Sequence, residues 1–164
     1  MPGRAGTAMN RFFDTDGDVS LQLSPQKLKA GGYPVDVALF ELRENLRFRS
    51  DIAGGVIVVA APYLSDLASI PQFAWSIFME PDDPRIELGG WVHDVIYEHE
   101  GRLELEDGRV VQLTRRQADA ILAYEAMPDL SSTPLQRWAV YWALRLFGHG
   151  WSHESFLERF GLAP

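Results

Sequence analysis

Cysteine is absent from all 164 residues. That removes disulfide bonds and thiolate metal sites, and makes intracellular folding the expectation. Long apolar runs are absent too. No segment approaches the roughly 18 apolar residues of a membrane span, and the opening MPGRAGTA lacks the apolar stretch of a signal peptide. Positive charge is scarce: 15 Lys and Arg face 23 Asp and Glu, for a formal charge of -8. Duplex binding wants clustered basic residues, so no nucleic-acid partner is expected. There is no internal repeat. What remains is an ordinary soluble composition, 46% apolar and 23% charged. The length suffices for one domain with its own core, and nine Phe and five Trp can fill it.

Residues 1–10 are expected to be disordered, with one domain over 11–164. From Val35 to Ala61, VDVALFELR, LRFRSD and GGVIVVAAP carry the alternation and short apolar runs of strands. Residues 63–78 are read as a loop entering a short helix, and PDDP at 81–84 as a turn. Leu88, Trp91, Val92, Val95 and Ile96 then form one helical apolar stripe. RLELEDGRVVQL, residues 102–113, alternates about Asp107-Gly108 as a two-residue hairpin. Thr114 with Gln117 makes a capping box for a helix that should end before Pro128. Thr133, Pro134 and Gln136 open the next helix, 134–147, which is apolar almost all round and is therefore central or facing a partner. A short last helix, 152–160, closes at Gly161. The expected fold class is α+β: a small antiparallel N-terminal sheet packed on a C-terminal bundle of three to four helices, with a β-hairpin at 102–113.

The chemistry-bearing stretch is GGWVHDVIYEHE, residues 89–100. At about 100° per residue, His93, Tyr97 and Gly90 fall opposite the apolar stripe, where a surface helix would carry Lys, Glu and Gln. On the next helix Ala118, Leu122, Ala123 and Ala126 make the apolar side, and Asp119 falls among them. A carboxylate on a packing face must be paired. The spacing therefore predicts that His93 and Tyr97 meet Asp119. A carboxylate on one ring nitrogen would fix the histidine tautomer, leaving the other nitrogen to take a proton from water. The alternative is purely structural: an arginine neutralises Asp119, from 115 or 116 or from the last helices, and His93 is a satisfied core histidine.

SDLASIP, residues 65–71, adds Asp66 and Ser69. Asp66 is read as the cap of a turn, or as a second carboxylate helping Asp94 hold a cation, calcium or magnesium given oxygen ligands. DTDGD at 14–18 is read as a polar turn, because Gly17 and Pro25 stand where a calcium loop needs other residues. His149 and His153 are separated by a helix break, which argues against a zinc site.

SDLASIP, VHDVIY, RRQADAILAYEAM and YWALRLFG together resemble a family of unknown function, numbered 1353, common in bacteriophage and prophage genomes. Ser65 stands where Thr is usual, and the hairpin at 102–113 looks like an insertion. The resemblance implies a phage or prophage origin, with the host cytoplasm or the virion as location, and no agreed activity. HDVIY is also similar to the His-Asp-x-x-Tyr signature of secreted calcium-dependent phospholipases. That resemblance implies His93 as base for water, Asp94 as calcium ligand, and Asp119 with Tyr97 holding the histidine. Those enzymes use a glycine-rich calcium loop, and FAWSIFME at 73–80 has no glycine.

Three functions follow as expectations. The first is a metal-assisted hydrolase of lipid or phosphate esters, touching a membrane surface only if it is phospholipase-like. The second is a non-catalytic phage structural or accessory protein, binding other phage proteins through helix 134–147. The third is an inhibitor of a host protein.

Overall fold

The computed structural model describes residues 11–13, 20–30, 33–65, 84–129 and 132–147. The readings of residues 1–10, DTDGD, Asp66, Ser69, His149, His153 and the helix at 152–160 lie outside the described residues.

Among the described residues six strands precede the first helix and a hairpin separates it from the next, the α+β arrangement expected. The N-terminal strands are β1 (Phe12–Phe13), β2 (Ser20–Ala30), β3 (Tyr33–Leu42), β4 (Leu46–Ser50), β5 (Gly55–Val59) and β6 (Tyr63–Ser65). They pair antiparallel in two sheets, ordered β1-β4-β5 and β2-β3-β6. Alternation in LRFRS buries Leu46, Phe48 and Ser50 and turns Arg47 and Arg49 outward. Phe12 packs on Phe48 with ring centroids 4.7 Å apart.

Two strands depart from the sequence reading. β2 escaped it because Pro25 interrupts the run, yet the register shifts between Leu23 and Gln26, the irregularity that lets a strand hold a proline. Tyr63–Ser65, read as loop, pairs with β3, Leu42 opposite Tyr63 and Phe40 opposite Ser65.

Among the described residues there are three helical segments. The first, α1 (Pro84–Glu98), begins at a proline the sequence suggested was in a turn. Proline suits a first helical position because its missing N–H would have no partner there. The second, α2, spans 115–129 in three parts: α-helical over Arg115–Ala120, π-helical over Ile121–Ala126, and α-helical again over Met127–Asp129. Its capping box from Thr114 and Gln117 is present as expected. The expected stop before Pro128 is wrong. In the wide turn the Met127 N–H reaches back to the Leu122 carbonyl, which loosens the backbone just where a proline ring would crowd a regular helix. The third, α3 (Pro134–Phe147), starts at Thr133, whose hydroxyl accepts the Gln136 N–H while Gln136 accepts the Thr133 N–H.

Strands β7 (Arg102–Glu104) and β8 (Val110–Gln112) form the expected hairpin. Its loop is one residue longer than expected: Leu105 N–H bonds Arg109 O, enclosing Glu106–Gly108, with Gly108 left-handed at φ 81°. Leu103, Leu105 and Leu113 pack inward.

The core joins Phe48, Leu46, Ile57 and Val59 of the sheet to Trp91, Val92 and Ile96 of α1. Ile121, Leu122 and Met127 of α2 and Val140 and Leu144 of α3 complete it. Each such side chain contributes about 1.5–3 kcal/mol by leaving water. Helix α1 is central, with residues 89–93 and 95–97 all buried.

Candidate functional site

Because α1 is surrounded, each of its faces must find a different partner. Trp91, Asp94 and Glu98 share the side toward β6. Tyr63 donates its hydroxyl to Glu98 at 2.6 Å and sets its ring edge-on to Trp91, centroids 5.6 Å apart. Ser65 donates its hydroxyl to Asp94 at 2.5 Å. The hydroxyl at position 65 therefore ties the end of β6 to the HDVIY helix.

The other side carries His93 and Tyr97, one turn apart, with ring centroids 4.3 Å apart. Across from them Ala118 and Ala123 are fully buried, and these short side chains let α2 approach closely. Asp119 lies between them with no exposed surface. One carboxylate oxygen, Oδ1, is 3.1 Å from His93 Nε2 and 2.6 Å from the Tyr97 hydroxyl. The other, Oδ2, accepts from Arg145 of α3 at 2.9 Å. One aspartate thus ties all three helices together. The meeting of His93, Tyr97 and Asp119 is the one the sequence predicted, and Arg145 is the arginine from a later helix in the alternative reading.

Electrostatics follow from these contacts. Burial pushes the Asp119 carboxyl up, but hydrogen bonds from His93, Tyr97 and Arg145 outweigh it and hold the group below the usual range. Burial, then the bond to the Asp119 carboxylate, pushes the Tyr97 phenol well up, so Tyr97 stays a donor. The guanidinium of Arg115 lies 6.0 Å from the Tyr97 ring centroid. An ionised Asp119 has no proton to offer, so His93 Nε2 must carry one and donate it. The second ring nitrogen, Nδ1, is buried and makes no hydrogen bond to a described residue. The π-helical turn begins two residues after Asp119, and such turns are common at functional sites.

Asp94 is half-buried and receives the Ser65 hydroxyl. Among the described residues no group of three His, Asp or Glu could hold a metal ion. A cavity of about 430 Å³ bounded by Arg49, Asp51, Gly55, Glu106 and Asp107 lies at the β4–β5 turn, away from His93.

A second buried carboxylate went unpredicted. Glu125, in the π-helical turn, accepts the Ser50 hydroxyl at 2.6 Å and the Asp51 and Ile52 N–H groups at 2.9 and 3.1 Å. It is seven residues from Ala118 and three from Leu122, on the apolar side of the wheel. Like Asp119, Glu125 is a carboxylate on a packing face and must be paired.

The family model for the protein of unknown function DUF1353 matches residues 40–144, a span holding His93, Asp94, Tyr97, Asp119 and Glu125. No curated protein and no solved structure matches the chain.

Proposed function

We propose, for a chain that belongs to the DUF1353 family, that His93 is the general base of a hydrolase acting on esters of lipid or phosphate type. The observation that carries this reading is the His93 ring itself: Nε2 bound to Asp119, and Nδ1 buried without a hydrogen-bond partner among the described residues. A buried polar atom left unpaired costs about 1–3 kcal/mol. A water held against Nδ1 gives the atom a use. As that water attacks the ester, its proton passes to Nδ1, and Asp119 stabilises the imidazolium through Nε2–H. The proton then leaves with the alcohol. Tyr97 and Arg145 hold Asp119 still and touch no substrate. Asp94 with Asp66 would hold calcium or magnesium if the phospholipase resemblance extends that far, and no step here depends on it.

The test measures hydrolysis of chromogenic acyl and phosphate esters, and of phospholipid vesicles with and without calcium. The expected result is turnover that falls at least about 10²-fold in His93→Gln, the scale of one general base. A wild-type protein inert toward all of these would overturn the reading.

A second reading has its own support. His93 and Asp119 are 1% and 0% exposed, and Arg145 already neutralises the carboxylate. In this reading the residues are a polar network fixing the three helices. The protein then acts through its surface, as a phage structural or accessory protein or as an inhibitor of a host protein.

A further inference from the structure

Helix α3 has two apolar faces. Val140, Ala143 and Leu144 are buried in the core. On the opposite side Leu135, Trp138, Trp142 and Leu146 are 63%, 57%, 45% and 68% exposed. At about 100° per residue these four fall within one stripe roughly 80° wide. Tyr124 of α2, 48% exposed, extends the patch by stacking on Tyr141, centroids 5.2 Å apart. Isolated exposed apolar residues are ordinary, but a continuous stripe of two leucines and two tryptophans is not.

The stripe reads nearly the same in both directions: Leu, Trp, Trp, Leu, at spacings of three, four and four residues. A two-fold axis through the middle of the helix would bring Leu135 of one copy to Leu146 of the other, and Trp138 to Trp142. This is the self-complementarity a symmetric dimer requires of one surface. A fully covered aromatic side chain buries about 150–250 Å², and about half of each of Tyr124, Trp138 and Trp142 is still exposed. The stripe with Tyr124 therefore offers several hundred Å², on the order of the ~800 Å² per partner of a standard interface. We propose that this face binds a second copy of the same chain, with the two α3 helices antiparallel. Tryptophan and tyrosine at its centre are the residue types that dominate binding energy at such contacts. A net charge of -8 on each copy opposes the pairing, so added salt should strengthen it.

The experiment is sedimentation of the full chain over a range of concentrations, joined to cysteine cross-linking. The chain has no cysteine of its own, so introduced ones report cleanly. The wild type is expected to be a dimer, and Trp138→Glu is expected to weaken it at least tenfold, because a charge would be buried unpaired. The double variant Leu135→Cys/Leu146→Cys is expected to form an intermolecular disulfide. Positions 135 and 146 lie about 16 Å apart along one helix, too far to bridge within a chain. The single variant Leu135→Cys should not cross-link, since an antiparallel pair keeps the two copies of residue 135 apart. A wild type that stays monomeric at every concentration would overturn the proposal. So would a dimer that Trp138→Glu leaves intact, or one that Leu135→Cys alone cross-links. Normal thermal unfolding of Trp138→Glu guards against misreading a folding defect, because this side chain contributes little to the core.

Discussion

Tyr97 and Asp119 are joined by a 2.6 Å hydrogen bond to the same carboxylate oxygen that meets His93 Nε2. Removing the hydroxyl tests what that bond contributes together with the hydroxyl's hydrogen bond to Arg115. Tyr97→Phe keeps the buried ring and its stacking on His93. The expected loss is about 1.5–3 kcal/mol, the range for a hydrogen bond to a charged group. Urea denaturation at neutral pH measures it, and an unchanged midpoint with an unchanged slope would show that the hydroxyl contributes nothing net.

Asp119 makes the acid limb of stability predictable. Its folded-state pKa is held below the ordinary value of about 3.9. A carboxylate depressed in this way contributes stability that is complete above the unfolded pKa. The contribution disappears as pH falls through the lower folded value, because the unfolded chain binds the proton first. Asp119→Asn should therefore cost about 3 kcal/mol near neutral pH, as expected for breaking a buried pair. Arg145 is 30% exposed and can turn partly to water, which places the cost at the lower end of that range. Below about pH 4 the variant should lose less stability per pH unit than the wild type. Parallel acid-denaturation curves for the two proteins would contradict this.

The same carboxylate dictates where the neutral His93 ring holds its proton. With Asp119 ionised and Tyr97 donating to it, Nε2 must be the protonated nitrogen and Nδ1 the bare one. Nitrogen-15 chemical shifts of the ring distinguish the two tautomers directly. The expected spectrum has the Nε2–H form alone in the wild type. An asparagine at 119 can offer either a donor or an acceptor, so Asp119→Asn should release this preference and show some Nδ1–H form. A wild-type ring with its proton on Nδ1 would remove the basis for His93 as a base acting through that atom.

The centre was legible in the sequence because burial makes a helical pattern informative. A histidine and a tyrosine opposite an apolar stripe, and an aspartate inside another, have few ways to be satisfied other than by one another. The caps at Thr114 and Thr133 were legible for a local reason: both hydrogen bonds of a capping box lie within four residues. β2 was not, because its proline is accommodated only by a register shift against β3, a relation between two strands. The continuation of α2 past Pro128 was hidden for a similar reason, since a π-helical turn leaves no mark in hydrophobic spacing. Arg145 and Ser65 join the site across 26 and 29 residues of sequence. Their partners are set by how helices and sheet pack rather than by local pattern.

Glu125 extends this reasoning to a residue whose role is structural. Its carboxylate fixes the turn between β4 and β5 through Ser50, Asp51 and Ile52, and Ser50 Oγ in turn accepts the Ala53 N–H at 2.9 Å. Arg11 stands 3.5 Å away, giving the buried charge a cation as well. Glu125→Gln keeps the size but replaces one acceptor oxygen with an NH₂ group. Whichever way the amide is turned, either the Ser50 hydroxyl or the two backbone N–H groups lose their acceptor. The expected cost is about 1.5–3 kcal/mol. Amide exchange at Asp51 and Ile52 should accelerate well beyond that at Phe48 or Ile57, because the turn opens while the strands stay paired. Uniform acceleration across β4 and β5 would mean that Glu125 supports the whole sheet instead of its turn.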